Sequence, residues 1–532
     1  SAKVPSRSKI TVLMPCSPWL CRQRALLIHR PAHRPIDNPI HRPSPWHGAL
    51  LQMATSRDGA LACAAPTSPY NGQKRKLKSF FMATALIVLA AGMGTRMNSD
   101  LPKVLHQVAG APLLVHALKS AAQIEAARCI VVAGHGAEAV GKAAKSWDET
   151  IELVLQPEQK GTGHAVDMAR TALADFTGDV IVLYGDTPFI QPETLAAMQA
   201  ARRDHDVVVL GFSAKDPGRY GRLVMEGDSL QRIVEYKDAT ETERAITLCN
   251  SGVIAADCTQ LFDLIAQISN ANASGEYYLT DVVGLARAHG LSATAVTCDE
   301  AETMGINSRA ELAQAEAAFQ ARARANLLAD GITLTAPETV FLAHDTVIGR
   351  DSVIEPHVVF GPNVTVESGA TIRAFCHLEG CHVSRGAVIG PYARLRPGAE
   401  LAEDVRVGNF VEIKNAILDE GAKVNHLSYI GDAHVGAASN IGAGTITCNY
   451  DGVMKHRTEI GARAFIGSNT MLVAPVRVGH GAMTGSGSVI TRDVPDDALA
   501  VARADQQTKP GLARKLFEML KAKKAKRDMR AE

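Results

Sequence analysis

Residues 348–378 read IGRDSVIEPHVVFGPNVTVESGATIRAFCHL, and in them an apolar residue returns at every sixth position: Ile348, Ile354, Phe360, Val366, Ile372 and Leu378. A slip of one residue carries the series on through Val383, Ile389, Leu395, Leu401, Val407 and Ile413, and then Leu418, Val424, Ile430, Val435 and Ile441. After an insertion the register resumes at Ile460, Ile466, Leu472, Val478, Thr484 and Ile490. Helices repeat about every 3.6 residues and isolated strands every second residue, so neither accounts for a period of six. Gly often follows the apolar residue, and a small or branched side chain such as Ser352, Ala393, Val411 or Thr470 sits four places on. The pattern predicts a coil with three short flat faces, turned by small residues, whose apolar side chains stack into one internal column. Neighbouring coils would lie about 4.8 Å apart, the ordinary strand spacing.

Upstream of the repeat the pattern changes. Between Met82 and about Asn307, short β-branched runs alternate with Ala-rich helical stretches. The runs at 86–89, 129–132, 180–183 and 207–210 are apolar at every position, as strands are when helices cover both faces of a mainly parallel sheet. Ser308-Arg309-Ala310-Glu311 has the form of a capping box, and an Ala-rich stretch follows to Ala329, with Gly331 as the stop. The expected organisation is an extension over 1–81, an α/β domain over 82–307, a linking helix over 308–331, the coil over 332–492 and a tail over 493–532. The Lys-rich end from Lys515 to Arg530 has helical spacing, with Leu516, Met519 and Leu520 on one face. It reads as a solvated tail or a helix docking on a neighbouring subunit rather than a nucleic-acid binder.

Residues 1–81 are rich in Pro, Arg and His, with Asp37 and Asp58 their only acids, and show no sustained period. They are expected to be disordered, and to be either a transit-type leader or, as Met82 suggests, a stretch translated from an early start. Lys74, Arg75, Lys76 and Lys78 before the apolar run Phe80–Ala91 imitate a secretion signal. That run is too short to span a bilayer and leads straight into a glycine-rich loop, so it reads as a buried parallel strand.

Composition narrows the function. At 532 residues the chain is too long for one core. A net charge of +1 and 5% aromatics favour neither a nucleic-acid groove, nor a stacking platform, nor an anionic membrane surface. The ten cysteines form no CxxC pair, which suggests a reducing compartment and a cytoplasmic location. Cys376-His377 and Cys381-His382 fit no zinc spacing and fall where the register slips, so a turn or partly buried role is expected.

The first chemical motif is Leu89-Ala90-Ala91-Gly92-Met93-Gly94-Thr95-Arg96-Met97, leaving the first strand. Small residues there let backbone N–H groups approach phosphate oxygens. It is neither a dinucleotide fingerprint nor a Walker A loop, because the third Gly and the Gly-Lys-Ser/Thr are missing. Arg96 within the loop and Lys103 just beyond it suit a triphosphate whose charge must be stabilised. Asp186 ends an apolar strand, where open α/β sheets place ligands, and Mg²⁺ in phosphoryl-transfer sites takes only one or two protein oxygens. A turn-forming role before Pro188 is equally open on spacing alone.

The loop, Lys103, Gly161-Thr162-Gly163-His164-Ala165 and Tyr184-Gly185-Asp186 together resemble the sugar-nucleotide pyrophosphorylases. With the repeat of six and Asn449-Tyr450-Asp451-Gly452, the chain from about Met82 to Lys509 resembles one family in particular. This is the family of bacterial bifunctional N-acetylglucosamine-1-phosphate uridyltransferase/glucosamine-1-phosphate acetyltransferases. The resemblance implies a Rossmann-like α/β nucleotidyltransferase domain followed by a left-handed parallel β-helix of hexapeptide repeats, working as a homotrimer. It implies acetylation of glucosamine 1-phosphate by acetyl-CoA. The product, N-acetylglucosamine 1-phosphate, then reacts with UTP to give UDP-N-acetylglucosamine and pyrophosphate.

Carried over by motif, Leu89, Ala90, Ala91 and Gly92 hold the nucleotide, and Arg96 and Lys103 neutralise its phosphates. Gln156, Gly161 and Thr162 read the uracil edge. Tyr184, Gly185, Gly221, Glu235 and Asn250 hold the sugar nucleotide, and Asp186 and Asn307 hold Mg²⁺. In the coil, the resemblance gives Arg396, Lys414, Tyr429 and Asn440 to the amino-sugar phosphate. It gives Ala443, Asn449, Tyr450, Ser468, Ser486 and Arg503 to acetyl-CoA. Position 486 departs from the family, which often has Ala there. His426, two places after Val424, is expected at a turn near a subunit groove, as the base that takes the amine proton. The alternatives are a single-activity nucleotidyltransferase with a regulatory coil and a binding protein on a trimeric scaffold. Lys414, His426 and Tyr429 argue against the first, and intact charges at both sites argue against the second.

Overall fold

The computed structural model describes residues 83–530. The expectations for the segment before them lie outside the described residues.

In the α/β body, β1 (Thr84–Ala90) is buried throughout because each face has its own core. Ala85, Ile87 and Leu89 pack into one layer, with Val166, Leu261 and Val282 from covering helices. Leu86, Val88 and Ala90 pack into the other, with Leu114, Val140 and Leu195. The further strands are β2 (Arg128–Ala133), β3 (Glu152–Leu155), β4 (Asp179–Tyr184), β5 (Val207–Ser213), β6 (Arg222–Glu226), β7 (Ser229–Val234), β8 (Leu248–Asp257) and β9 (Ala293–Cys298). The sheet runs β9-β5-β8-β4-β1-β2-β3, with the β6–β7 hairpin attached to β8. All neighbours on that path are parallel except β8, which is antiparallel to both β4 and β5. From β1 the chain goes to β2 on one side and later to β4 on the other. The carboxyl ends of β1 and β4 therefore flank a topological switch point, where such sheets bind ligands.

Two helices bear on function here: α1 (Thr162–Asp167) and α2 (Arg309–Ala329). The first half of α2 packs Leu312, Ala315 and Phe319 on the body, and its second half packs Ala323 and Leu327 on the coil. Gln320, nearly fully buried, donates to Leu342 O and accepts from Leu342 N, which ties α2 to the coil's first turn. Ser308 caps the helix as its sequence suggests, but the expected box is not closed on Ser308 itself. The Glu311 carboxylate instead accepts the N–H of Asn307 at 2.6 Å, one residue earlier.

The hexads form a parallel β-helix. Val347-Ile348 pair with Thr365-Val366, eighteen residues on, so one coil is three hexads. Where the register slips, the step shortens to seventeen, as in Val364–Val366 beside Cys381–Val383. The inward residues make one long apolar column. Cys376 and Cys381 belong to that column rather than to turns, and burial pushes their thiols up to about 11 and about 12. His377 points outward and His382 bonds Glu367 at 3.0 Å; among the described residues no group of three His, Cys, Asp or Glu side chains could hold a metal ion.

Most hexads turn through a left-handed residue. In one corner row these are His357, Phe375, Tyr392, Phe410 and Leu427, with φ from 52° to 61°. Bulky residues seldom adopt that conformation, and here four aromatic rings stack on one another at 4.9–5.2 Å. Below Leu427 the same corner becomes Gly444, Asn469 and Gly487. After the coil comes α3 (Leu512–Asp528), exposed along its whole length. No described helix is long and apolar enough to cross a membrane.

Candidate active sites

The first site lies at the switch point. A cavity of about 300 Å³ is lined by Leu89, Ala90, Ala91, Gly92, Lys103, Gln156, Gly161, Thr162, Tyr184 and Asp186. Ten of the residues singled out in sequence thus meet in one place. The loop can fold back because Gly94 adopts φ +62°, and a Cβ there would lie 2.6 Å from Lys103 Cβ. Gly185 N donates to Leu89 O at 2.9 Å, which joins the ends of β1 and β4. Lys103 Nζ donates to Asp186 Oδ2 and, at 2.9 Å, to Asn307 Oδ1. Asn307 comes from far along the chain, held by Ile306 N on Asp186 O at 3.0 Å and by its own N–H on Glu311.

Gln156 is buried beside α1, donating to Gly161 O at 3.2 Å and sharing a hydrogen bond with His164 Nδ1 at 3.0 Å. Arg96 is exposed on the turn Thr95–Met97 and is not part of the cavity wall. Gln159, which sequence reading missed, donates to Ala91 O at 2.6 Å, and Glu276 also lines the cavity. Both sit in loops without a periodic signal.

Tyr184 links this cavity to a second group of residues. Its ring packs against Gly252, where a Cβ would come within 2.7 Å of it. Asn250 N donates to Gly221 O at 2.8 Å, and a Cβ on Gly221 would lie 3.5 Å from the Glu235 carboxylate. Burial raises the Glu235 carboxyl above its usual range, and Thr280 Oγ1 donates to it at 3.2 Å. Arg222, wholly buried next to Gly221, donates to the carbonyls of Pro217, Gly218, Tyr220 and Arg244 and so fixes this loop.

On the coil, Arg396 and Lys414 stand on adjacent turns of one face, following the paired strands Arg394-Leu395 and Glu412-Ile413. Arg396 Nη1 donates to Glu412 Oε1 at 2.7 Å. Lys455, from the insertion, crowds Lys414; together with Arg396 it holds that amine below the usual lysine range. Three cations converge on one patch, which makes it a natural seat for an anion. Sequence reading missed Lys455, since nothing in the repeat says where an insertion folds. Tyr429 lies on the same face, with Asn449 Nδ2 3.5 Å from its hydroxyl. The buried Asp432 holds Asn449 and, at 2.5 Å, Asn415. Tyr450 is exposed, its hydroxyl donating to Gly452 O at 2.6 Å.

A second set follows the corner. Asn409 pairs with His426, Gly444 N bonds His426 O, Asn469 N bonds Ala443 O and Gly487 N bonds Ser468 O. Asn409, His426, Ala443, Ser468 and Ser486 therefore form one row, a residue per coil, and Arg503 Nη1 donates to Ser486 O at 2.6 Å at its far end. Asn440 stands apart from Arg396, Lys414 and Tyr429: it lies on the neighbouring face, beside Lys423.

A ligand cavity at the switch point of an α/β sheet, carried on one chain with a parallel β-helix that bears a cationic patch and a row of small residues, defines a two-site transferase. The profile of the MobA-like NTP transferase domain matches residues 86–253, and that of the bacterial transferase hexapeptide (six repeats) matches 345–380 and 457–492. A protein named bifunctional protein GlmU from Ruegeria sp. (strain TM1040) is 69% identical over 84% of this chain and 99% of its own length. Proteins of the same name from Ruegeria pomeroyi and Cereibacter sphaeroides (strain ATCC 17025) are 72% and 70% identical, over 84% and 82% of this chain and 99% and 96% of theirs. A solved UDP-glucose pyrophosphorylase overlays with a TM-score of 0.39 at 17% identity, covering 45% of this chain and all of that one. The chain belongs to the bifunctional GlmU family. It is an enzyme of UDP-N-acetylglucosamine biosynthesis, with a uridyltransferase domain and a left-handed β-helical acetyltransferase domain.

Proposed function

We propose that the cavity below Leu89–Gly92 takes UTP and N-acetylglucosamine 1-phosphate, and that the coil takes glucosamine 1-phosphate and acetyl-CoA. In this reading Gln156, Gly161 and Thr162 meet the uracil, while Tyr184, Gly185, Gly221, Glu235 and Asn250 meet the sugar. Lys103 and the exposed Arg96 neutralise phosphate charge that grows as the bond to pyrophosphate breaks. Asp186 and Asn307 offer one carboxylate and one amide oxygen that already converge on a cation, the Lys103 ammonium. Two hard oxygens with room for phosphate and water suit Mg²⁺. When bound, that ion would clamp and polarise the phosphate oxygens.

The observation that carries the acetyltransferase reading is the row from His426 to Ser486. At about 4.8 Å per coil, it gives an extended thioester arm a straight edge of about 14 Å that ends at an imidazole. Ala443, Ser468, Ser486 and Arg503 line that arm, with Asn449 and Tyr450 beside it. Arg396, Lys414, Tyr429 and Asn440 hold the sugar phosphate. The amine nitrogen attacks the thioester carbonyl carbon, the C–S bond breaks, and His426 takes the amine proton and returns one to the leaving thiolate. The enzyme is a homotrimer of the cytoplasm, for which the free cysteines of the described residues are suited.

The test is His426→Ala. Acetyl transfer should fall by about 10²–10⁴-fold with substrate binding little changed, while uridylyl transfer from supplied N-acetylglucosamine 1-phosphate stays intact. Near-normal acetylation would assign the proton to another group, and a joint loss of both activities would mean damaged folding or assembly.

A further inference from the structure

We propose that Asn409 is a positioning residue that sets the tautomer of His426, an inference that rests on the reading of His426 as the base. The two residues are in register on adjacent coils, and Asn409 Oδ1 lies 2.9 Å from His426 Nδ1. The backbone makes that stacking obligatory. Phe410 follows Asn409 and Leu427 follows His426, both left-handed at φ 56° and 52°, so the two side chains leave equivalent points of successive corners. Ser428 Oγ donates to His426 O at 2.8 Å and fixes the turn from the other side.

An amide oxygen can only accept, so a ring facing it carries its hydrogen on Nδ1 and keeps the lone pair on Nε2. Nε2 is then the atom that takes the amine proton when the C–N bond forms and that gives it to the thiolate when the C–S bond breaks. Asn409 Oδ1 accepts equally from the neutral ring and from the imidazolium, so the ring need not turn during the cycle. A neutral amide also differs from a carboxylate: it orients without adding an opposite charge that would favour the protonated ring. The charged groups that share the cavity beside this pair are Arg406, on the same strand as Asn409, and Arg373, two coils before it, both cationic.

The test compares Asn409→Leu, Asn409→Asp and His426→Ala in the full-length protein, with uridylyl transfer as the measure of intact folding. Asn409→Leu should lower kcat for acetyl transfer by about 10–100-fold, with KM for acetyl-CoA and for glucosamine 1-phosphate little changed. Asn409→Asp should recover most of that rate at high pH, and its acid limb should move to higher pH because the carboxylate favours the imidazolium. Acetylation by Asn409→Leu at the normal rate overturns the proposal. So does an equal fall in both variants with an unmoved acid limb, which would make Asn409 merely structural. If His426→Ala acetylates normally while Asn409→Leu does not, the base reading itself has failed.

Discussion

Lys103 carries two duties at one point: its ammonium draws Asp186 and Asn307 together, and the cavity opens above it. Both partners of the ion pair are largely buried, at 13% and 18% side-chain exposure, so neither charge is well satisfied by water alone. Lys103→Met should leave Asp186 unpaired and lower uridylyl transfer by about 10²–10³-fold, the scale of a lost charge-stabilising donor. Acetyl transfer by the same variant, measured with supplied glucosamine 1-phosphate, should be unchanged. If uridylyl transfer persists at the normal rate, the phosphates are neutralised elsewhere, with Arg96 the nearest candidate. Lys103 and Asp186 were legible in the sequence because each follows a strand end or a glycine-rich turn. Glu276, Gln159 and Lys455 were not, because their positions depend on where loops and insertions fold back, and no local period encodes that.

Among the elements, α2 decides how far the two activities depend on each other. Its N-terminal end fixes Asn307 through Glu311, and Arg309 Nη1 lies 3.2 Å from His106 Nδ1, so this end is tied to the switch-point cavity of the α/β body. A fragment of about residues 82–330 keeps all of those contacts and should release pyrophosphate from UTP by itself. A folded fragment without that activity would show that the coil completes the site. The junction also carries a pH dependence. His116, in the helix Leu113–Ala121, bonds Val108 O at 2.8 Å and is enclosed by Phe189, Phe319 and His344. Burial holds its pKa down to about 4, and the nearby Lys119 and His344 push the same way while Glu316 opposes them. Between about pH 6.5 and 4 the unfolded chain therefore binds a proton that the folded one does not, so stability is full above that window and falls as pH drops through it. The loss has an upper scale of roughly 3 kcal/mol. Thermal unfolding at pH 7.5 and 5.0 should show a larger decrease in Tm for the wild type than for His116→Gln, which keeps a donor and does not titrate. Equal decreases would exclude His116 as the source. The hexads were readable at this scale because every coil repeats the same demand for an inward apolar residue. The contacts of His116 were not, since they come from four separate segments.

For the whole molecule, the distribution over the coil of the residues proposed for acetyl transfer argues for assembly. Arg396, Lys414 and Tyr429 stand on one face and Asn440 on the next, with the His426–Leu427 corner between them. Outward side chains on two faces that meet at a convex edge diverge, so a single coil presents these groups on a ridge and not in a groove. A second coil laid against that edge would turn the ridge into one wall of a cleft and exclude water from the reacting amine. A third closes the arrangement, since identical three-sided coils packed edge to face generate a cyclic assembly. The exposed stack Phe375, Tyr392 and Phe410 and the uncovered α3, with Leu516, Phe517, Met519 and Leu520 in water, are the surfaces such packing would bury. Light scattering should therefore report a particle of three times the 56.5 kDa chain mass at concentrations where acetyl transfer is measured. On dilution, acetyl transfer should decline as the assembly dissociates, while uridylyl transfer, whose cavity is built within one chain, should hold constant. A stable monomer that acetylates at the full rate would rule out the shared cleft, because the ridge alone would then suffice.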